Sequence, residues 1–246
     1  MKKLAKYICI FIVLIILNGL FFINYKNDFN ENDETFTTTR KIITTTLNTT
    51  TKETLKQEQK LIDSLKKEYN NDDIVLYLEI PNVLSIPILQ TKDNKYYLKH
   101  DIKKKYKPEG WPFLDYRNQL SDRKLIIYGH NSRYSTLPFT NLTKYKDYSF
   151  YKNNPYIYLK TNSSIFKYKV FSSYIENNDF DYVNLNNFNG LSYYEHILKL
   201  KNKSFYETGV NLNSNSKILI LQTCSYDKNY KGNRKYHLVL AVLEDK

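Results

Sequence analysis

The sequence predicts a mainly β domain, either a barrel or a sandwich with peripheral helices, rather than a parallel α/β sheet. About eight short runs rich in β-branched and aromatic residues, bounded by turn signals, lie between residues 75 and 243. The helical patterns among them are few and modest in length. A parallel sheet needs a long crossover, usually a helix, between successive strands. Many short strands with few helices therefore favour a barrel or sandwich.

Each predicted strand stops at a polar or glycine-containing turn. The strands are residues 75–80, 84–90, 111–114, 124–128, 156–159, 165–175, 217–223 and 236–243. Pro81-Asn82 ends the first strand, and Gly129-His130-Asn131 ends the fourth. Residues 162–164 (Asn-Ser-Ser) are typical of a hairpin turn between the fifth and sixth strands.

Four segments have a helical pattern: residues 52–69, 94–98, 139–148 and 191–203. The first contains Leu55, Leu61, Ile62, Leu65 and Tyr69 largely on one helical face, among Lys, Glu and Gln. This pattern predicts an amphipathic helix that packs on the domain behind it.

The N-terminus predicts a membrane anchor. An apolar run from Tyr7 to Ile23 is just long enough to span, since a spanning helix needs roughly 17–25 residues. Lys2, Lys3 and Lys6 precede it, which predicts a cytoplasmic N-terminus, and no small-residue cleavage site follows. We therefore expect a single-pass protein whose signal-anchor is residues 1–23 and whose remainder is extracytoplasmic.

The segment after the anchor is polar and rich in threonine, which predicts a flexible stalk over residues 24–51 and a folded domain over 52–246. The formal charge is +12, but lysine is scattered and arginine is scarce. Nucleic-acid readers favour clustered arginine, so the composition argues against nucleic acid as a partner. Attraction to anionic lipid or cell-wall polymer is a more natural use of the charge.

Cys224 is the most informative single residue. It ends the apolar run of residues 217–223, and the only other cysteine, Cys9, lies in the predicted anchor. An unpaired cysteine in an exported domain indicates intermolecular pairing or a reactive thiol. Because the thiol follows a buried strand, a nucleophile is one interpretation, and a buried structural cysteine is the other.

Two further residues are candidates for the same chemistry. His130 directly follows a buried strand and a glycine, so its imidazole stands where a cleft can open. His100, His196 and His237 are weaker candidates because of where they are predicted to lie. His100 is in a lysine-rich run, His196 is on the polar side of a helix, and His237 is on a strand face. Arg234 precedes the last strand, where one interpretation is a cation that binds a carbonyl oxygen or an oxyanion and the other, which position alone favours, is a surface charge. No histidine pair or acidic cluster has the spacing of metal ligands.

Taken together, these residues resemble the catalytic set of the sortases, membrane-anchored cysteine transpeptidases of Gram-positive bacteria. The resemblance covers residues 74–243 and rests on three parts in order: His130 within Ile-Ile-Tyr-Gly-His-Asn, Cys224 within Leu-Gln-Thr-Cys-Ser-Tyr, and Arg234. Residues 110–118 (Gly-Trp-Pro-Phe-Leu-Asp-Tyr-Arg-Asn) are similar to a segment of class B members. The sequence departs from the family motif Thr-Leu-x-Thr-Cys at its first position, where Ile220 replaces the threonine.

The resemblance implies an eight-stranded sortase-type β-barrel, with an N-terminal helix and a helix between strands 6 and 7. It implies that Cys224 attacks a sorting signal on a secreted protein and that an amine of a peptidoglycan precursor or a pilin resolves the thioacyl-enzyme. His130 would transfer protons and Arg234 would stabilise the oxyanion. Thr223, Tyr182 and Val183 would contact the substrate, and no cofactor or metal would be needed.

Two other functions stay open on the sequence. One is a cell-wall cysteine hydrolase, although papain-like hydrolases place the histidine well after the cysteine, and here only His237 follows Cys224. The other is a membrane-tethered adhesin or scaffold without catalysis. Capture of a thioacyl intermediate distinguishes the enzyme from the scaffold.

Overall fold

The computed structural model describes residues 60–133, 137–185 and 190–244. The predicted signal-anchor (1–23), the stalk (24–51) and the first part of the amphipathic helix (52–59) lie outside these ranges, so the domain boundaries stay predictions. Within them, no helix is both long and apolar enough to cross a membrane.

Eight strands close into a barrel, which confirms the predicted fold class. The strands are β1 (Ile74–Ile80), β2 (Leu84–Leu89), β3 (Phe113–Leu114), β4 (Lys124–Tyr128), β5 (Tyr156–Lys160), β6 (Ile165–Glu176), β7 (Ile218–Cys224) and β8 (Tyr236–Leu243). Around the barrel they follow the order β1-β2-β3-β4-β7-β8-β6-β5, and β5 pairs with β1.

The pairing that matters most for function is the parallel one between β4 and β7. Tyr128 lies opposite Gln222 at its end. β7 also pairs with β8 in antiparallel fashion, which places Cys224 opposite Tyr236. Because parallel neighbours end at the same edge of a sheet, the segments that follow β4 and β7 emerge side by side.

Side chains of β7 alternate between two apolar clusters, as the period of two along a strand requires. Leu219 and Leu221 point into the barrel interior, and Ile218 and Ile220 point outward, beneath a helix. Both faces are therefore covered over Ile218–Leu221, which explains why these four residues form an unbroken apolar run.

The helices lie outside the barrel. They are α1 (Leu61–Tyr69), α2 (Tyr148–Asn153) and α3 (Gly190–Asn202), with 3₁₀ segments at Tyr96–Leu98, Pro138–Lys146 and Asp181–Val183. The predicted helix over 139–148 is instead a 3₁₀ segment followed by α2. Asp147 separates them because its extended backbone stops the first while its carboxylate caps α2, accepting hydrogen bonds from Ser149 and Phe150.

The amphipathic segment predicted before β1 is helical over Leu61–Tyr69, and its apolar face packs on the barrel as expected. Ile62 is buried in a cluster with Ile74 and Leu89, and Leu65 packs against it. The helix start is capped from another element: the side-chain oxygen of Asn162, in the β5–β6 turn, accepts from the backbone amide of Ile62 at 2.8 Å.

The helix between strands 6 and 7 is present as α3, but the prediction that His196 lies on its polar side is wrong. His196 is buried, and its Nε2 lies 2.9 Å from the Nζ of Lys124 on β4. Burial lowers the pKa of His196 to about 4 and that of Lys124 to about 7. The polar side of α3 instead carries Lys199, which is ion-paired to Asp179.

Candidate active site

A groove of about 330 Å³ opens on the outer face of the barrel where β4 and β7 end. Its walls combine residues from both strand ends with residues from the loop after β2. The lining residues are Asn94, Leu98, Phe113, Tyr128, Gly129, His130, Gln222, Cys224 and Tyr236. The structure thus brings two of the three predicted catalytic residues, His130 and Cys224, into one groove.

Cys224 reaches the groove because of strand alternation. Ile218 and Ile220 face outward, so Gln222 and Cys224 continue on the same outer face. The register places Tyr236 opposite Cys224, and Tyr236 forms part of the same lining. The thiol is half-buried and is not in a disulfide. Burial raises the pKa of the Cys224 thiol above its ordinary value, so the neutral thiol is the dominant form at neutral pH.

His130 is placed by the glycine before it. A Cβ at Gly129 would lie 2.4 Å from the ring of Phe139, a fully buried core residue, so only glycine lets the chain pass here. The Nε2 of His130 lies 3.1 Å from the carbonyl oxygen of Leu98. Because a carbonyl can only accept, Nε2 carries the proton in this contact, and Nδ1 is the nitrogen left for proton transfer.

Arg234 is exposed and does not line the groove. It precedes β8 in the loop that returns from Cys224. The backbone amide of Ser225 donates to the carbonyl of Lys235 at 2.7 Å, which extends the β7–β8 ladder by one pair. Alternation from Tyr236 then indicates that Arg234 lies on the same face as Cys224, one step beyond Tyr236.

The three predicted substrate-contacting residues occupy different places. Thr223 is fully buried and faces away from the groove, with a hydroxyl that lacks a hydrogen-bond partner among the described residues. Tyr182 is also buried, and its phenol donates to Gln222 Oε1 at 2.6 Å. Val183 follows it, partly buried on the same outer cluster. None of the three side chains lines the groove itself.

The buried carboxylate of Asp115 holds Tyr128, a residue of the groove lining, in place. Tyr128 donates to Asp115 at 2.7 Å, and Arg117 binds the same carboxylate through Nε at 2.9 Å and a second guanidinium nitrogen at 2.7 Å. Burial alone would raise the pKa of Asp115, but the hydrogen bonds from Arg117 and Tyr128 outweigh it and hold that pKa below its ordinary value. Arg117 also donates to the carbonyl of Val183 at 3.1 Å, which connects Asp115 to the 3₁₀ segment that contains Tyr182 and Val183.

Sequence reasoning missed most of the groove lining. Gln222 and Tyr236 could have been found, because they share the face of Cys224 by alternation and pairing. Asn94 and Leu98 come from the loop after β2, and nothing local indicates that they face Cys224. Asn94 is held there by the backbone amide of Tyr116, which donates to its side-chain oxygen at 2.9 Å.

The remaining histidines have other partners. His100 stacks on Tyr96 with ring centroids 4.0 Å apart, so it is only partly solvated. His237 is buried on the inner face of β8, with its Nε2 3.0 Å from the hydroxyl of Ser173. Neither lines the groove, which leaves His130 as the histidine beside Cys224.

Comparison with known proteins identifies the family. Residues 78–244 match the family model of the sortase domain, which describes the sequences of that family. The chain is 32% identical to sortase B of Listeria monocytogenes over 67% of its own length and 68% of that protein's.

Solved structures give the same answer for the fold. A mutant form of Clostridium perfringens sortase B is 29% identical, with a TM-score of 0.72 over 80% of this chain and 92% of that one. A Staphylococcus aureus sortase B–substrate complex is 28% identical, with a TM-score of 0.67 over 78% and 94%. With a groove that holds a cysteine and a histidine on such a barrel, the chain belongs to the sortase family of cysteine transpeptidases, with class B sortases as its relatives.

Proposed function

We propose that this sortase cleaves a C-terminal sorting signal on secreted proteins and joins the new carboxyl end to an amine at the cell wall, through a thioacyl bond to Cys224. The observation that carries the proposal is the shared groove: Cys224 and His130 line one cavity at the ends of adjacent parallel strands. A thiol and an imidazole in one partly buried groove are the two groups that acyl transfer through cysteine requires.

In the first half-reaction, the Cys224 thiolate attacks the carbonyl carbon of the scissile peptide bond. A C–S bond forms and the carbonyl oxygen becomes an oxyanion. When that intermediate collapses, the C–N bond breaks and the imidazolium of His130 gives its proton to the departing nitrogen. The products are a thioacyl-enzyme, a free amine and neutral His130.

In the second half-reaction, an acceptor amine attacks the thioacyl carbon. His130 takes a proton from that amine, the C–S bond breaks, and the Cys224 thiolate and the imidazolium are restored. The contact between His130 Nε2 and the Leu98 carbonyl orients the ring throughout, with Nδ1 as the exchanging nitrogen.

Arg234 has the role of orienting the substrate carbonyl and stabilising the oxyanion. Its support is positional: the ladder from Cys224 through Tyr236 leads to Arg234 on the same face. Because Arg234 is exposed and outside the present lining, its guanidinium must approach the carbonyl when substrate occupies the groove.

Tyr182 and Val183 have the role of supporting the sorting signal beside the groove, and Thr223 the role of shaping it from beneath. The hydrogen bond from Tyr182 to Gln222 supports the first of these, because Gln222 is a lining residue. A sortase B of Staphylococcus aureus was solved in complex with substrate, which supports the proposal that this groove also receives a substrate.

The pattern of the N-terminal sequence supports a further proposal about the cellular arrangement. We propose that residues 1–23 anchor the protein in the cell membrane, that residues 24–51 act as a stalk, and that residues 52–246 work outside the cytoplasm. There they would meet both the secreted protein and an amine of a peptidoglycan precursor or a pilin. Protease added to intact protoplasts should degrade the domain, and complete protection would refute the orientation.

The reaction is tested by incubating the full-length chain with a library of sorting-signal peptides, with and without an added amine. The expected products are a cleaved peptide and, with amine present, a new amide. Cleavage without any amide product would favour a hydrolase, and no cleavage of any peptide would favour the scaffold.

A further inference from the structure

A side-chain hydrogen bond joins the segment that carries His130 to the one that carries Cys224. Asn131, the residue after His130, is nearly buried with 9% of its surface exposed. Its Nδ2 donates to the backbone carbonyl oxygen of Cys224 at 2.9 Å. The bond therefore joins the residue next to His130 to the backbone of Cys224 itself.

The position of this bond continues the parallel ladder. The amide of Gly129 donates to the carbonyl of Gln222 at 3.0 Å. Parallel ladders repeat every two residues, so the next bond would run from the amide of residue 131 to the carbonyl of residue 224. The side-chain amide of Asn131 takes that place, so the strands stay joined where their backbones leave the sheet.

A second bond reinforces the connection from the opposite direction. The phenol of Tyr226 donates to the backbone carbonyl of Asn131 at 3.0 Å. The guanidinium carbon of Arg133 lies 4.5 Å from the centroid of the Tyr226 ring. Asn131 thus binds the end of β7 through its side chain, at the Cys224 carbonyl, and the segment after β7 through its backbone carbonyl, at Tyr226.

We propose that Asn131 is a positioning residue that sets the separation between the His130 imidazole and the Cys224 thiol. The inference rests on the proposed function of these two residues and adds a residue to it. Proton transfer and nucleophilic attack depend steeply on geometry, so loss of the bond between the neighbour of His130 and the Cys224 carbonyl should affect the chemistry more than the fold.

Two variants and a matched control test the proposal in the full-length chain. Asn131→Ala removes the amide, and Asn131→Asp keeps its shape but offers only oxygens to the Cys224 carbonyl. Asn141→Ala is the control, because Asn141 Nδ2 also donates to a backbone carbonyl, that of Val83 at 3.2 Å, away from the groove. The assays are cleavage of a peptide selected from the library and alkylation of Cys224 by iodoacetamide across pH.

We expect kcat to fall by about 10- to 100-fold in both Asn131 variants, with KM changed by less than about threefold. The midpoint of the alkylation pH profile should move upward, further in Asn131→Asp because of its added negative charge. Asn141→Ala should match the wild type in both assays, even if all variants lose a similar amount of thermal stability.

A double variant makes the test specific to position. In a His130→Ala background, Asn131→Ala should leave alkylation unchanged, because no imidazole remains to be placed. The proposal is overturned if Asn131→Ala matches Asn141→Ala in both assays, or if it has the same effect without His130. If the wild type shows no cleavage that depends on Cys224, the proposed function fails, and the alkylation profiles still decide the role of Asn131.

Discussion

The phenol of Tyr182 donates a 2.6 Å hydrogen bond to the side-chain oxygen of Gln222, which lines the groove two residues before Cys224. Tyr182 belongs to the 3₁₀ segment after β6, so this bond connects the β6–β7 connection to the strand that carries the thiol. The buried Tyr182 thus orients the side chain of Gln222, which is a residue of the groove lining.

We expect Tyr182→Phe to raise KM for the selected peptide severalfold with a smaller change in kcat, because Gln222 would lose the donor that orients it. The loss of the bond should also lower the free energy of unfolding by about 1 kcal/mol. Tyr145→Phe is the matched control, since Tyr145 is buried and donates to the Asn154 carbonyl at 2.7 Å, away from the groove. Equal KM values for the two variants would contradict the role of Tyr182.

The second prediction concerns the thiol. Because burial raises the pKa of Cys224, the rate of its alkylation should increase with pH through a midpoint above the ordinary thiol value of about 8.5. The rate is measured with iodoacetamide and peptide mapping, which separates Cys224 from Cys9. Turnover should be slow at neutral pH because the thiolate is a minority form. A midpoint clearly below 8 would contradict this account.

The third prediction is acid destabilisation through His237. Burial lowers its pKa to about 4, below the ordinary value of about 6.5. The unfolded chain therefore binds more protons than the folded chain between these two values, and stability is lost as pH falls from about 6.5 to about 4. His237→Gln should flatten the fall in melting temperature over this range, and a fall as steep as that of the wild type would contradict this role of His237.

The fourth prediction concerns α1. Ile62 is 4% exposed in a cluster with Ile74 and Leu89, so Ile62→Ala should lower the free energy of unfolding by about 2–4 kcal/mol. Leu120→Ala, at a residue 43% exposed, should cost under about 0.5 kcal/mol. Denaturant titration measures both, and similar values for the two variants would argue against a packed helix.

Much of the barrel could be predicted because its central strands are strongly patterned. β4 and β8 have the bounds that the sequence predicts, since each is an apolar run ended by polar residues. β3 shrinks from four predicted residues to Phe113–Leu114, because only these two residues pair with β4, and only Phe113 also pairs with β2. The closure of β5 on β1 is a long-range pairing that no local pattern encodes.

The candidate site was predictable only in part. Strand ends and residue types pointed to His130 and Cys224, and the groove contains both. The predicted position of His196 on the polar side of the helix is wrong because helical periodicity cannot reveal a partner as distant in sequence as Lys124. The local sequence does not reveal the contact of Asn131 with Cys224, because that contact depends on the parallel register of β4 and β7. Such contacts across the sheet arise from topology rather than from local sequence.

The most direct test of the central claim is mass spectrometry of the full-length chain mixed with an intact sorting-signal peptide, one that the library shows to be a substrate, in the absence of added amine. The account predicts a covalent adduct with the mass of the N-terminal peptide fragment, located on Cys224 and released when amine is added. Cys224→Ala should show neither adduct nor cleavage. Peptide cleavage that persists in Cys224→Ala would contradict the account.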